Sequence, residues 1–322
     1  MRTPTAIQPS FWHIIAILLP VFLLHTLFTP SLRSAQGFGS DAPVWLTETI
    51  PVEVPANLHA RTTGGNIEIV SHDLLEIHIE VLLRHQGRFL RAGEEAPIEV
   101  SISTEDGRVT IHAEPEPQRW FRSTPRPVAS LRIAVPRYTE IRAQTSGGRV
   151  SAERISHNVT LITSGGPVRA SQITGEVLAR TSGGPVTLEG IRGNLTARTS
   201  GGPITITDSD GFIQARTSGG GITLRDISGS IEANTSGGNI HASIVRLSEH
   251  LSLATSGGSI HVHLPESQGL DLQAHARRIV NDLGAFTGES SPGRLSGTLG
   301  PGGVPAELRT SGGSIYLNKR GD

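Results

Sequence analysis

The sequence predicts an all-β protein: a single-stranded, right-handed parallel β-helix with coils of about 18 residues, preceded by an N-terminal hydrophobic helix. Three observations carry this. The string Thr-Ser-Gly-Gly begins at Thr145, Thr163, Thr181, Thr199, Thr217 and Thr235, always 18 residues apart, and again at Thr255 and Thr310. Apolar residues recur at fixed places within each unit. Glycines fall between the short apolar runs, where a chain must turn.

Positions are counted from the Thr as zero. Position 5 is Val150, Val168, Val186, Ile204, Ile222 and Ile240, and position 7 is Ala152, Ala170, Leu188, Ile206, Leu224 and Ala242. Positions 14 and 16 hold pairs such as Val177 with Ala179 and Ile213 with Ala215. Each pair alternates with mostly polar neighbours, the period-two signal of a strand. Position 10 is Ile in most units and Ser209 in one. Gly175, Gly193, Gly211 and Gly229 stand at position 12. The paired glycines are Gly147–Gly148, Gly165–Gly166, Gly183–Gly184, Gly201–Gly202, Gly219–Gly220 and Gly237–Gly238. All are read as turn residues, free to take positive φ. Each unit is then strand, bend, strand, turn.

Such a unit can stack as a coil or as a hairpin in an antiparallel meander. Strict repetition favours the coil, in which each residue lies over its own copy about 4.8 Å away, so that one packing solution serves every layer. Parallel crossovers impose the right hand. The Thr should point inward with its hydroxyl on turn backbone, and the Ser outward. Pro167, Pro185 and Pro203 occupy the first strand position, where a missing N–H does least harm.

Four regions follow in order. Residues 1–36 contain the apolar run Phe11–Phe28 followed by small residues, which fits a cleaved signal peptide or an uncleaved membrane anchor. Residues 37–142 alternate as strands but without a fixed period, as an irregular start to the stack. Residues 143–263 are the regular repeat. Residues 264–322 hold a Gly-rich insertion and then Thr310–Leu317, read as a closing coil.

Composition excludes several functions. A net charge of −1 over 322 residues argues against a general nucleic-acid surface. The absence of Cys removes disulfides, thiolate metal sites and a Cys nucleophile.

The repeated TSGG-x-Val/Ile units, behind an irregular strand region and an export segment, resemble the bacterial putative-adhesin domain family of unknown function. The stretch LPESQGLDLQAHARRI, a Gly-rich loop and the last TSGGSI are similar to that family's C-terminal part. The resemblance spans residues 44–317 and implies a right-handed parallel β-helix or β-roll-like stack. It implies no catalytic residues.

Two outward constellations stand out. Arg180, Arg198 and Arg216 precede the Thr of successive units, as Arg61 and Arg309 do elsewhere. In a coil they form a ladder able to grip an acidic glycan or a phosphate; the plain reading is a solvated face. At position 6 the row Thr187, Thr205, Thr223 continues as His241, His261 and Tyr316. His241, His261 and His263 could bind Zn²⁺ or Cu²⁺, or simply be exposed strand positions. Asp208, Asp210 and Asp226 lie at bends and make no complete acid–base set.

The expectation is therefore a non-catalytic, exported β-solenoid of the cell envelope, presenting a repetitive surface for binding or adhesion. It takes no cofactor and no nucleic acid. Its partner is a glycan or an envelope protein, and Phe11–Phe28 offers a membrane contact. It lies in the periplasm, on the cell surface or anchored facing out. Two alternatives use the same scaffold: a polysaccharide-acting enzyme, or a membrane-anchored accessory protein of envelope stress.

Overall fold

The computed structural model describes residues 42–116, 125–265, 267–284 and 286–320, which lie within one compact unit. The expected hydrophobic helix and the export segment 1–36 lie outside the described residues. Among those residues there is no helix, and none long and apolar enough to cross a membrane.

The regular repeat stacks coil on coil with parallel pairing, and the antiparallel meander does not occur there. Val150 pairs with Val168, Val168 with Val186, Val186 with Ile204, and Ile204 with Ile222. The second strand of each unit repeats the pattern: Val159, Val177, Leu195, Ile213 and Ile231 lie each beside the next. Positions 5, 7, 10, 14 and 16 fill the interior and are buried in the five units from Thr145 to Thr217; in the longer unit from Thr235 the register shifts, Ile244 takes the inner place beside Ile227 and Val245 is exposed. Each Val, Leu or Ile so buried contributes about 1.5–3 kcal/mol relative to exposure. Ser209 fits this apolar column because its hydroxyl is satisfied: it donates to the Thr207 carbonyl (3.0 Å) and accepts from the Ile191 N–H (3.3 Å).

The inward Thr behaves as expected and does more. The Thr181 hydroxyl donates to the Gly166 carbonyl of the neighbouring coil (2.9 Å) and accepts from the N–H of Gly184 in its own turn (3.3 Å). Thr199 does the same with Gly184 (3.0 Å) and Gly202 (3.2 Å). A hydrogen-bonded relay thus runs through the turns from layer to layer.

The role assigned to the paired glycines is corrected. Positive φ belongs to Gly175, Gly193, Gly211 and Gly229, at 150°, 134°, 137° and 114°, and to none of the six pairs. The second glycine of each pair is required by closeness instead. A Cβ on Gly184 would lie 2.0 Å from the Gly166 carbonyl oxygen, and one on Gly202 would lie 2.0 Å from that of Gly184. The first glycine has ordinary room: a Cβ on Gly183 finds its nearest atom at 3.7 Å. A further left-handed residue stands at position 9 of five units: Arg154, Gln172, Gly190, Asp208 and Asp226, with φ between 46° and 65°. The types Gly190, Asp208 and Asp226, which tolerate this conformation, were the available sequence signal.

At both ends the order of layers departs from the order of the chain. Strands Ala56–Thr62 and Ile67–His72 lie directly against the first regular coil, with Leu58 beside Ile141 and Ile67 beside Val150. The later strands Arg108–Pro115 and Val128–Pro136 lie outside them. Antiparallel strands then cover this layer: Glu76–His85 on Val128–Pro136, and Ile98–Glu105 on Arg108–Pro115.

The other end corrects the reading of Thr310–Leu317 as a closing coil. Strand Val304–Thr310 is inserted between Ile240–Thr255 and Leu270–His275. Strand Ser314–Lys319 is inserted between Ile260–Leu264 and Arg278–Asp282. The outermost coil is therefore made of residues earlier in sequence, and the antiparallel pair Phe286–Ser291 and Arg294–Leu299 extends it. The reason is chemical. Thr310 brings a hydroxyl that needs a glycine carbonyl, and Gly258 supplies it at 2.7 Å. The outermost turn, around Ala276 and Arg277, has no Thr-Ser-Gly-Gly and makes no such demand.

Candidate functional site

Alternation along each strand sends positions 15 and 17 outward while 14 and 16 pack inside. Arg180, Arg198 and Arg216 at position 17 stand side by side in register and are exposed. They line an open groove of about 560 Å³ with Asn234 and the turn serines Ser182, Ser200 and Ser218. Their partners differ. Arg198 donates to the Gln214 side-chain oxygen (2.7 Å), and Arg216 pairs with Glu232 at 3.6 Å. Arg180 has no ion pair among the described residues. The ladder read from the sequence is thus assembled, and among the described residues two of its three guanidiniums carry no counter-charge. Arg61 and Arg309 fall on the same column.

Three further residues of that column were missed: His112, His275 and Arg294. Arg61 pairs with His112, and Arg309 with His275, which pairs in turn with Arg294. None precedes a Thr-Ser-Gly-Gly string, so no local signal marks them; their register is set by pairings between distant segments.

The position 6 row gives a different geometry. His241 and His261 stack with ring centres 4.8 Å apart and planes 11° from parallel. His261 and Tyr316 stack at 4.4 Å and 7°. Coplanar stacking aims the ring nitrogens alongside one another, not at a common point. His263 lies two residues along the same strand as His261, beside a groove of about 610 Å³ shared with Thr223, Arg225 and Asp226. Among the described residues, no three His, Cys, Asp or Glu side chains form a group that could hold a metal. Burial within the stack lowers the pKa of His261 from 6.5, and the charges of His241 and His263 lower it further.

The bend carboxylates are all engaged. Asp208 pairs with Arg192 at 2.9 Å, Asp210 with Arg246 at 3.5 Å, and Asp226 with Arg320 at 2.8 Å. Each is opposed by a guanidinium.

These features define a class: a stacked-coil β protein whose outer faces are columns of repeated side chains. Within it, the chain belongs to the Toastrack DUF4097 family, whose pattern matches residues 61–318. No curated protein matches it in sequence. Solved structures similar to it include a putative cell adhesion protein from Clostridium sporogenes, with 11% identity over 85% of this chain and 99% of that chain and a TM-score of 0.20. A putative adhesin from Bacteroides fragilis has 15% identity over 84% and 96%, with a TM-score of 0.34. A putative lipid binding protein from Parabacteroides distasonis has 13% identity over 85% and 96%, with a TM-score of 0.28.

Proposed function

We propose that this chain is a non-catalytic, exported β-solenoid of the cell envelope, a right-handed coil whose repeated outer columns bind a glycan or an envelope protein. Residues 1–36 serve as its signal or anchor, and the body works outside the cytoplasm, at a surface where binding amounts to adhesion. One observation carries the reading: Arg180, Arg198 and Arg216 stand in register over an open groove. The engaged state of Asp208, Asp210 and Asp226 supports binding over turnover.

The test incubates the full chain with polysaccharide extracted from a bacterial envelope. Bound material and newly released reducing ends are both measured. Binding without release is expected, and R180A/R198A/R216A should weaken it by about tenfold or more, as for a multi-contact charged site. Release of reducing ends, or binding that ignores the triple substitution, sinks the reading.

A further inference from the structure

We infer that the occupant of the arginine column is a linear acidic polysaccharide lying along the stack, crossing every layer rather than following one coil. This rests on the binding reading above and adds the partner's chemistry, its direction and two further subsites.

The pairings give one column, whose central twelve positions run from His112 to Arg294 with Ser101 beyond the first and Ser291 beyond the last. At one end stand His112 and Arg61. Gln144 and Ile162 follow. The middle is Arg180, Arg198 and Arg216. Asn234 and Ala254 come next. At the far end stand Arg309, His275 and Arg294. Six Arg and two His occupy the column, with no Asp or Glu. Three basic clusters are thus separated by two neutral layers each. Successive positions are fixed about 4.8 Å apart by strand pairing.

A second groove, of about 460 Å³, lies on the same column at its first cluster, lined by Arg61, His112, Arg142 and Gln144. The neighbouring column, at position 15, carries Glu232 and Glu307. Glu232 lies 3.6 Å from Arg216, and Glu307 pairs with Arg309. Beside Arg216 and Arg309 the positive charge is thus flanked by a carboxylate of that column, whereas beside Arg61 and Gln144 the same column carries His59 and Arg142 and the basic strip widens. That profile suits a thin polymer with an anionic group on successive sugars. A planar anionic bilayer would press on both columns at once. A nucleic acid strand would need aromatic side chains to stack its bases, and the column has no Phe, Tyr or Trp.

Binding along three clusters makes a distinct demand on length. A short chain fills one cluster, and a longer one gains the next as an intramolecular event, with gains of roughly 10²- to 10⁴-fold from linkage alone.

The experiment titrates the full chain with size-fractionated oligogalacturonates at low salt. Dextran, phosphatidylglycerol vesicles and a single-stranded oligonucleotide serve as comparators. Affinity should climb in steps with oligomer length, tenfold or more from short to long, and fall with added salt. R180A/R198A/R216A should lower affinity at every length. R61A/R294A/R309A, all exposed positions, should flatten the length dependence and lower the number of short oligomers bound per chain, with those that remain held at the middle cluster. Length-independent binding that needs only the middle cluster would overturn the axial inference and leave the binding reading standing. Absence of oligogalacturonate binding at every length, or tighter binding to the vesicles or the oligonucleotide, would overturn the partner class. The envelope-polysaccharide test then decides the broader reading separately.

Discussion

The regular coils and the two ends of this molecule solve one problem in opposite ways. In the middle, chain order and spatial order coincide, and every layer repeats its neighbour's contacts. At the ends the chain doubles back: an early segment lies inside a later one at the first end, and a late segment lies inside an earlier one at the second. Repetition suffices where both faces of a layer meet a copy. A terminal layer has no copy on one side, so it sheds the Thr-Ser-Gly-Gly turn and takes antiparallel strands. These blunt the open edges that would otherwise recruit further chains.

The comparison can be broken most sharply at the glycine pairs. Gly184→Ala should destabilise by more than about 4 kcal/mol or prevent folding, because its Cβ meets fixed backbone on the next coil. Gly183→Ala, one residue earlier, should cost less than about 1 kcal/mol. Denaturant unfolding of the two variants tests this; equal effects would remove close approach as the reason for the second glycine.

A smaller effect is expected from the relay. Thr199→Val strands the Gly184 carbonyl and the Gly202 N–H, at a cost of about 2–3 kcal/mol. At the first end Thr62 makes one such bond, to the Ala129 carbonyl at 2.8 Å, and Thr62→Val should cost about 1–2 kcal/mol. A reversed order in thermal unfolding would show that the relay adds nothing in the regular coils.

The smallest effect concerns pH. His261 has a lowered pKa in the folded state, so the unfolded chain binds its proton more readily. Its contribution to stability is complete above the unfolded value of about 6.5 and is lost as pH falls through the lowered native value. His241, His263 and Tyr316 are the titratable groups around it. Stability measured between pH 7.5 and 5 should fall, and His261→Phe, which keeps an aromatic ring between His241 and Tyr316, should lessen the fall. An unchanged slope in that variant would refute the assignment.

The interior was legible because each buried column is written as one residue type at one spacing; Val150, Val168 and Val186 announce their contact. The inward Thr was legible for the same reason. The glycine pairs were recognised as turns for the wrong cause, since a sequence cannot tell a left-handed backbone from a crowded one. The location of Thr310 was misread because a repeat string shows that a layer exists, not where it is inserted. The arginine ladder was half visible: Arg180, Arg198 and Arg216 share the repeat phase. His112, His275 and Arg294 reach the column through segments that keep no phase at all.

The insertion of Val304–Thr310 also bears on the order in which the molecule can be completed. A ribosome makes residues 270–282 well before it makes residues 304–319. The outermost coil therefore exists as chain before the coil it must rest on. Thr310 reaches back 52 residues to Gly258, and until it arrives that side of Leu251–Thr255 has no native partner. The last stretch synthesised is thus a keystone: the arch stands only once it is set.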